Sequence, residues 1–292
     1  MADLTIRAHA KINLNLRLGP RRPDGFHPID TLFVRTEVAD LLSVSPSTED
    51  SLSLEIEGDK TLTAGPDNLV LRAAQALRAR SKTTKGARLR LKKEIPQGAG
   101  LGGGSSDAAA ALRLLRKFWS LQIREAELLE IGAQLGSDVP FFLQSSPARG
   151  TGRGEVLEPI PLTKLPWAVL LHPGFGSPTA EAYARYASCR QPGEEGVPTL
   201  LKLTSGKNYE LHPRNDLEPA VEQKYLWIRV AREWLSRQKG ALVARMSGSG
   251  STVFGLWATE GEAVAAAEQA KEYFGSLAWI RTTRLLGAGE NN

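Results

Sequence analysis

The chain has 292 residues, 41% of them hydrophobic and 24% charged, which is the composition of a folded globular protein rather than a disordered one. A single cysteine, Cys189, excludes an intramolecular disulfide and a cysteine-based zinc site. The net charge of +5 suits anionic ligands, but the basic residues are dispersed and few aromatics interleave them, so no nucleic-acid stripe stands out.

The start, MADLTIRAHAKINL, has no basic stretch followed by an apolar one, and no apolar run approaches the roughly 18 residues of a membrane span. The cytoplasm is the expected compartment, with no membrane partner. LTIRAHA and INLNLRL read as strands, the second with Ile12, Leu14, Leu16 and Leu18 on one face. Lys11, Asn13 and Asn15 share the other face, a polar stripe that either lines a site or meets water. The turn-rich GPRRPDGFHP follows, with Phe26 and His27 leaving an Asp-Gly turn. Such a pair can stack on and hydrogen-bond a planar ring, but after a turn it is more often a local packing cluster.

IDTLFVRTEV is a further strand, with shorter strand signals at Leu41–Val44 and Leu52–Ile56. Helical periodicity covers Asn68–Arg80, with Leu69, Ala73, Ala76 and Leu77 on one side. ARLRLKKE is a strand that puts Arg88, Arg90 and Lys92 on one face, best read as a solvated sheet face. Helices are expected at Ser105–Phe118 and Arg124–Leu135. A glycine-rich connection, RGTGRGE, opens the second half. There a buried strand at Trp167–Leu171 is followed by helices near Thr179–Ala187, Leu217–Glu222 and Tyr225–Lys239. Strands at Ala241–Arg245 and Thr252–Leu256 flank the small-residue loop MSGSGS, before a helix at Glu260–Tyr273 and a strand at Ala278–Thr283. The mixture predicts an α+β protein of two domains, 1–160 and 161–292, with a last strand that can return to the first.

The most informative stretch is IPQGAGLGGGSSDAAAAL, residues 95–112, with five glycines between Gly98 and Gly104. It matches the dinucleotide fingerprint GxGxxG, but Pro96 and Gln97 separate it from the preceding strand and no acidic strand end follows. It is not a Walker loop, since it carries no lysine. Glycines at this density bring backbone close to a ligand, and a helix opening at Ser105 and Ser106 presents free N–H groups. The expectation is phosphate binding, with Lys11, Lys92 and Lys93 as candidate cations. Asp138 in LGSDVPFFL and Asp107 both read, on local grounds, as ordinary carboxylates of a first helical turn.

Together, PQGAGLGGGSSDAA and ARMSGSGSTVF resemble the central and C-terminal glycine motifs of the GHMP kinases, named for galactokinase, homoserine, mevalonate and phosphomevalonate kinases. AKINLNLRLGPRRPDGFHPIDTLF, LGSDVPFF, ARGTGRGE, HPGFGSPTAEAY and RNDLEP, in that order, are similar to the branch that phosphorylates the 2-hydroxyl of a diphosphocytidyl methylerythritol in the non-mevalonate route to isoprenoids. The resemblance implies a ribosomal-protein-S5-like N-terminal domain and a ferredoxin-like C-terminal domain. It implies small-molecule substrates, ATP with Mg²⁺, no dedicated protein ligand for the metal, and no nucleic-acid partner.

By the same resemblance Asp138 is the base and Lys11 its partner. Pro96, Gln97, Gly98, Ala99, Gly100, Leu101, Gly102, Gly103, Gly104, Ser105 and Ser106 take ATP, with Asn68, Leu69 and Lys93 nearby. Asn13, Phe26, His27, Thr179 and Tyr183 take the cytidine-bearing acceptor, closed by Gly248, Ser249 and Gly250. Departures are Phe26 where tyrosine is usual, Asp107 where asparagine is frequent, and Thr151 where an acid is usual. A homoserine or mevalonate kinase is the alternative within the superfamily, and a non-catalytic nucleotide- or RNA-binding module the alternative outside it. The Phe26–His27 pair with Tyr183 disfavours the first, since those substrates have no ring to stack.

Overall fold

The computed structural model describes residues 3–290 apart from positions 48, 60, 145 and 190. The chain runs β1 (Leu4–Leu18), β2 (Ile29–Ser45), β3 (Leu52–Glu57), α1 (Leu69–Ser81), β4 (Ala87–Lys92), α2 (Gly103–Phe118), α3 (Glu125–Leu135) and α4 (Val139–Leu143). It continues β5 (Ala148–Thr151), β6 (Val156–Pro159), β7 (Leu162–Thr163), β8 (Trp167–His172), α5 (Thr179–Cys189), β9 (Thr199–Leu203) and β10 (Asn208–Leu211). It ends α6 (Glu218–Lys224), α7 (Leu226–Ser236), β11 (Val243–Met246), β12 (Val253–Trp257), α8 (Glu260–Phe274) and β13 (Trp279–Arg284).

The two N-terminal strand signals are one strand. β1 pairs antiparallel with β2, and its register slips between His9 and Lys11 and again between Asn13 and Leu16. Such bulges bend a strand and re-aim its side chains. The other edge of β2 is shared, with Thr31–Phe33 on β5 and Leu41–Ser45 on β4. The Leu41–Val44 signal is therefore the far half of β2. β3 joins β4 in parallel, with α1 as the crossover. The glycine-rich connection at 149–155 is a β5–β6 hairpin, with Gly152 and Gly154 in the turn. In β4, Leu89 and Leu91 face the core while Arg88, Arg90 and Lys92 face water, as the alternation predicts.

Against this sheet lie α1–α4. The alanines of α2, Ala108–Ala111, are all buried, and their small size brings its backbone close to its neighbours. The second sheet has the order β11-β12-β8-β13 and is antiparallel throughout. With α6 and α7 between β8 and β11, and α8 between β12 and β13, it has the β-α-β-β-α-β arrangement of ferredoxin-like folds. A smaller sheet, β10-β9-β7, covers one side. Between the two main sheets, Ala10, Ile12, Leu14, Leu32 and Val34 pack on Leu170, Phe254 and Leu256. That apolar contact sets one glycine loop against the other.

Candidate active site

A cleft of about 670 Å³ opens over the head of α2. Its walls include Lys11 and Asn13 of β1, Asn68 and Leu69 at the start of α1, Lys93, Pro96–Gly100, Gly102–Ser105, Asp138, Thr179, Tyr183, Gly248 and Ser249. Most of the residues predicted from sequence thus meet in one cavity. Leu101 is buried in the core between the sheets, and Ser106 turns away from the cleft and is buried. Phe26 and His27 do not line the cavity itself and reach it through Arg153 and Tyr183, which do. Gly250 also stands behind the wall, its amide donating to the Ser247 carbonyl at 2.9 Å.

The glycine loop has a consistent polarity. The carbonyl of Gly98 accepts from Ser177 N at 3.2 Å and that of Ala99 from Thr252 N at 3.0 Å. The Gly100 carbonyl accepts from Ser247 Oγ at 3.0 Å, Leu101 from Lys11 N at 2.9 Å, and Gly102 from Ser106 N at 2.9 Å. In a trans peptide the N–H opposes the C=O, so tying these carbonyls into the protein leaves the amides pointing the other way. Among the described residues, the amides of Gly98 through Ser105 donate to nothing. Eight free donors at the N-terminal end of α2 form a nest for an anion. A Cβ at Gly100 would lie 2.2 Å from the Ser247 carbonyl, so only glycine lets the two loops meet.

Lys11 is 4% exposed, and its Nζ donates to Asn13 Oδ1 at 2.6 Å and sits 3.6 Å from Asp138 Oδ2. Asp138 occupies the N-cap position of α4 but makes no capping bond, so its carboxylate is not consumed by the helix. Its side chain is 30% exposed, open to a substrate hydroxyl. Asn13 Nδ2 donates to Thr31 Oγ1 at 2.8 Å. Asn15 does not join it: within the bulge, its Oδ1 accepts from Leu32 N at 2.6 Å. The polar stripe therefore divides, two residues lining the cleft and one mending the strand.

The candidate cations also separate. Lys92 faces solvent. Lys93 is buried between Asp40 and Asp107, with Asp107 Oδ2 at 2.8 Å. Burial works against the Lys93 charge, but the two carboxylates outweigh it and hold its pKa above the usual lysine value. Asp40 Oδ1 also accepts from Glu94 N at 2.6 Å and Ile95 N at 2.9 Å. Asp107 is the less satisfied partner. Burial pushes its pKa up to about 7, Lys93 partly opposing, and its Oδ1 has no hydrogen-bond partner among the described residues. Sequence reasoning missed Asp40, although an acid inside a long strand flanked by apolar residues is a signal of a buried pair.

At the far end of the cleft, Arg153 lies over the Phe26 ring, 3.6 Å from its centroid. His27 Nδ1 is 2.9 Å from the Gly19 carbonyl, and its ring meets Tyr183 at 6.4 Å and Tyr186 edge-on at 5.4 Å. Tyr186 and Arg153 were not singled out from sequence, since one is a helix aromatic and the other a hairpin cation until the fold joins them. Burial and the nearby Asp138 charge push the Tyr183 hydroxyl up to about 12, so it stays a donor. Asn68 serves twice, capping α1 through Val70 N at 3.0 Å and lining the cleft.

The comparisons with known proteins agree with this geometry. Residues 68–146 match the GHMP kinases N terminal domain and residues 202–276 the GHMP kinases C terminal domain. The chain is 38% identical over 282 residues to the 4-diphosphocytidyl-2-C-methyl-D-erythritol kinase of Methylacidiphilum infernorum, covering 96% of each chain. It is 40% identical over 275 residues to that of Prosthecochloris aestuarii, covering 92% of this chain and 94% of the relative. A crystal structure of 4-(cytidine 5'-diphospho)-2C-methyl-D-erythritol kinase superposes with a TM-score of 0.78 at 35% identity, over 98% of this chain and 100% of the other. Homoserine kinase from Cytophaga hutchinsonii, at 15% identity and a TM-score of 0.68 over 98% of each chain, shares the fold alone. The amide-lined loops, the two-sheet fold and relatives matched over nearly their whole length make this chain a member of the GHMP kinases, in the 4-diphosphocytidyl-2-C-methyl-D-erythritol kinase family.

Proposed function

We propose that the protein transfers the γ-phosphoryl group of ATP to the 2-hydroxyl of 4-diphosphocytidyl-2-C-methyl-D-erythritol, with Asp138 as general base. The observation that carries this reading is the Lys11–Asp138 pair, 3.6 Å apart, in the cleft that the free-amide loop lines. Phosphoryl transfer needs mainly positioning and charge stabilisation. The loop supplies N–H dipoles to the triphosphate, and Ser105 adds a hydroxyl. Asn68, Leu69, Pro96, Gln97 and Lys93 stand near the nucleotide. Asp138 accepts the proton of the attacking hydroxyl, while Lys11, tied to Asn13, holds the carboxylate and faces the developing negative charge.

Asn13, Thr179, Tyr183, Gly248 and Ser249 surround the acceptor, and Phe26 and His27 meet its cytosine. Mg²⁺, bound together with the triphosphate, would supply neutralisation of charge on the phosphate oxygens. Among the described residues no group of three or more His, Cys, Asp or Glu side chains is placed to hold a metal. Ser105, in the cleft wall, would offer it a hydroxyl, and an ion of this kind keeps waters and phosphate oxygens as its main ligands. No helix of the described residues is long and apolar enough to cross a membrane.

The test is ADP release with a panel of acceptors. Turnover is expected with the diphosphocytidyl methylerythritol and none with mevalonate or homoserine. Activity confined to either of the latter would overturn the assignment.

A further inference from the structure

RNDLEP, residues 214–219, is a family-like stretch that the proposed reaction does not use. It is threaded between β1 and the second glycine loop. Leu16 N donates to the Arg214 carbonyl at 2.6 Å, and Asp216 N returns to the Leu16 carbonyl at 2.9 Å. Asp216 accepts from Leu18 N at 2.7 Å and Gly193 N at 3.0 Å. Between them, Asn215 is 1% exposed. Its Nδ2 donates to the carbonyls of Met246 at 2.7 Å and Gly248 at 2.8 Å, while its Oδ1 accepts from Leu217 N at 2.9 Å.

The bond to the Gly248 carbonyl has a consequence on the other side of the same peptide. The Gly248–Ser249 peptide is not among the cis bonds of the chain, so Ser249 N–H points away from the carbonyl that Asn215 holds. Ser249 lines the cleft, and neither its amide nor that of Gly248 donates to any described residue. Gly248 has φ +56° and sits between two serines in a small-residue loop. Such a peptide flips at little steric cost. A flip would bring a carbonyl to the place of the N–H, and a carbonyl repels an anion.

We propose that Asn215 is a positioning residue for substrate binding: by holding the Gly248 carbonyl it keeps the Ser249 amide turned toward the diphosphate of the acceptor. The acceptor rather than the nucleotide is chosen because Ser249 Oγ is 2.9 Å from Thr179 Oγ1, on the acceptor side. Gly248 stands at the junction of the two sides, a Cβ there lying 3.2 Å from both Asn13 Oδ1 and the Gly100 carbonyl. The inference rests on the reaction proposed above.

Its test is steady-state kinetics on Asn215→Ala and Asn215→Asp, with ATP affinity measured separately by calorimetry. Alanine removes both donors. Aspartate keeps the acceptor for Leu217 N but sets an anionic oxygen against two carbonyls. The acceptor KM should rise about tenfold in the first variant and further in the second, since a hydrogen bond to a charged group is lost or reversed. The Kd for ATP should stay within about twofold of wild type. A merely structural role would lower thermal stability without separating the two substrates in this way. A folded Asn215→Ala protein with wild-type acceptor KM and kcat overturns the inference. If neither variant folds, the wild-type Ser249 amide resonance, followed by NMR on titration with CDP, replaces them. A shift on binding supports the proposal, and no shift with CDP bound overturns it. Absence of ADP release by the wild-type enzyme would instead sink the proposed reaction, so the two failures are distinguishable.

Discussion

Lys11 Nζ lies 3.6 Å from Asp138 Oδ2, joining a buried β-strand lysine to a carboxylate that its own helix leaves uncapped. The contact is looser than a direct hydrogen bond, and the Asp138 side chain keeps enough exposure to accept a proton from a ligand. A base that works by proton transfer contributes about 10²–10⁴ in rate. Asp138→Asn keeps the shape of the side chain and removes its basicity. The variant should lose kcat by at least about that factor, while ATP binding by calorimetry changes little, because the loop amides are untouched. A variant with wild-type kcat would remove Asp138 from the role of base.

The acceptor end makes a second prediction from one hydrogen bond. His27 Nδ1 donates to the Gly19 carbonyl at 2.9 Å, so in the neutral ring Nε2 carries the lone pair. That nitrogen is buried without a partner among the described residues. Cytosine offers it an amino group, whereas uracil offers a carbonyl oxygen and two lone pairs face each other. The uridine analogue of the acceptor should therefore show kcat/KM lower by about 10–10²-fold, the usual cost of an unmet buried polar group. Equal use of the two analogues would show that His27 does not read the base edge. The Phe26 ring contributes stacking only, and its face under Arg153 is already occupied, so discrimination falls to the histidine.

How much of this was legible in the sequence follows from how local the chemistry is. The glycine loop could be read because its function lies in its own backbone, and five glycines ahead of two serines have few other uses. Asp138 was ordinary in its local window and Lys11 was one of three candidate cations, and their pairing as base and partner came only through family resemblance, since it depends on α4 being set against β1. Asn15 looked equivalent to Lys11 and Asn13 by strand alternation, but the bulge between Asn13 and Leu16 broke the period. The β5–β6 hairpin was hidden by the glycines of its turn. The short strands β9 and β10 lie in a polar stretch with little alternation to reveal them. Asn215 left no local sign at all, because its work is done on the carbonyls of a loop contributed by a later strand pair.

The last prediction concerns the buried trio of Lys93, Asp40 and Asp107. One lysine faces two carboxylates, and Asp107, with one oxygen unpartnered, has its pKa pushed from 3.8 up to about 7 by burial. In the unfolded chain Asp107 ionises near its ordinary value, so between about pH 4 and pH 7 the folded state holds a proton that the unfolded state has released. Stability from this group is therefore full below about pH 4 and is lost as the pH rises toward 7. Asp107→Asn cannot ionise and escapes that loss, leaving Lys93 paired with Asp40. The melting temperature of the variant relative to wild type should climb across this window, on the order of 5 °C, and level off above it. Glu218, which burial also pushes up to about 7, is unchanged by the substitution, so its contribution cancels in the difference. Thermal unfolding of both proteins at a series of pH values and constant ionic strength measures the difference, and a difference that stays flat from pH 4 to pH 8 would show that Asp107 is ionised throughout and fully compensated by Lys93.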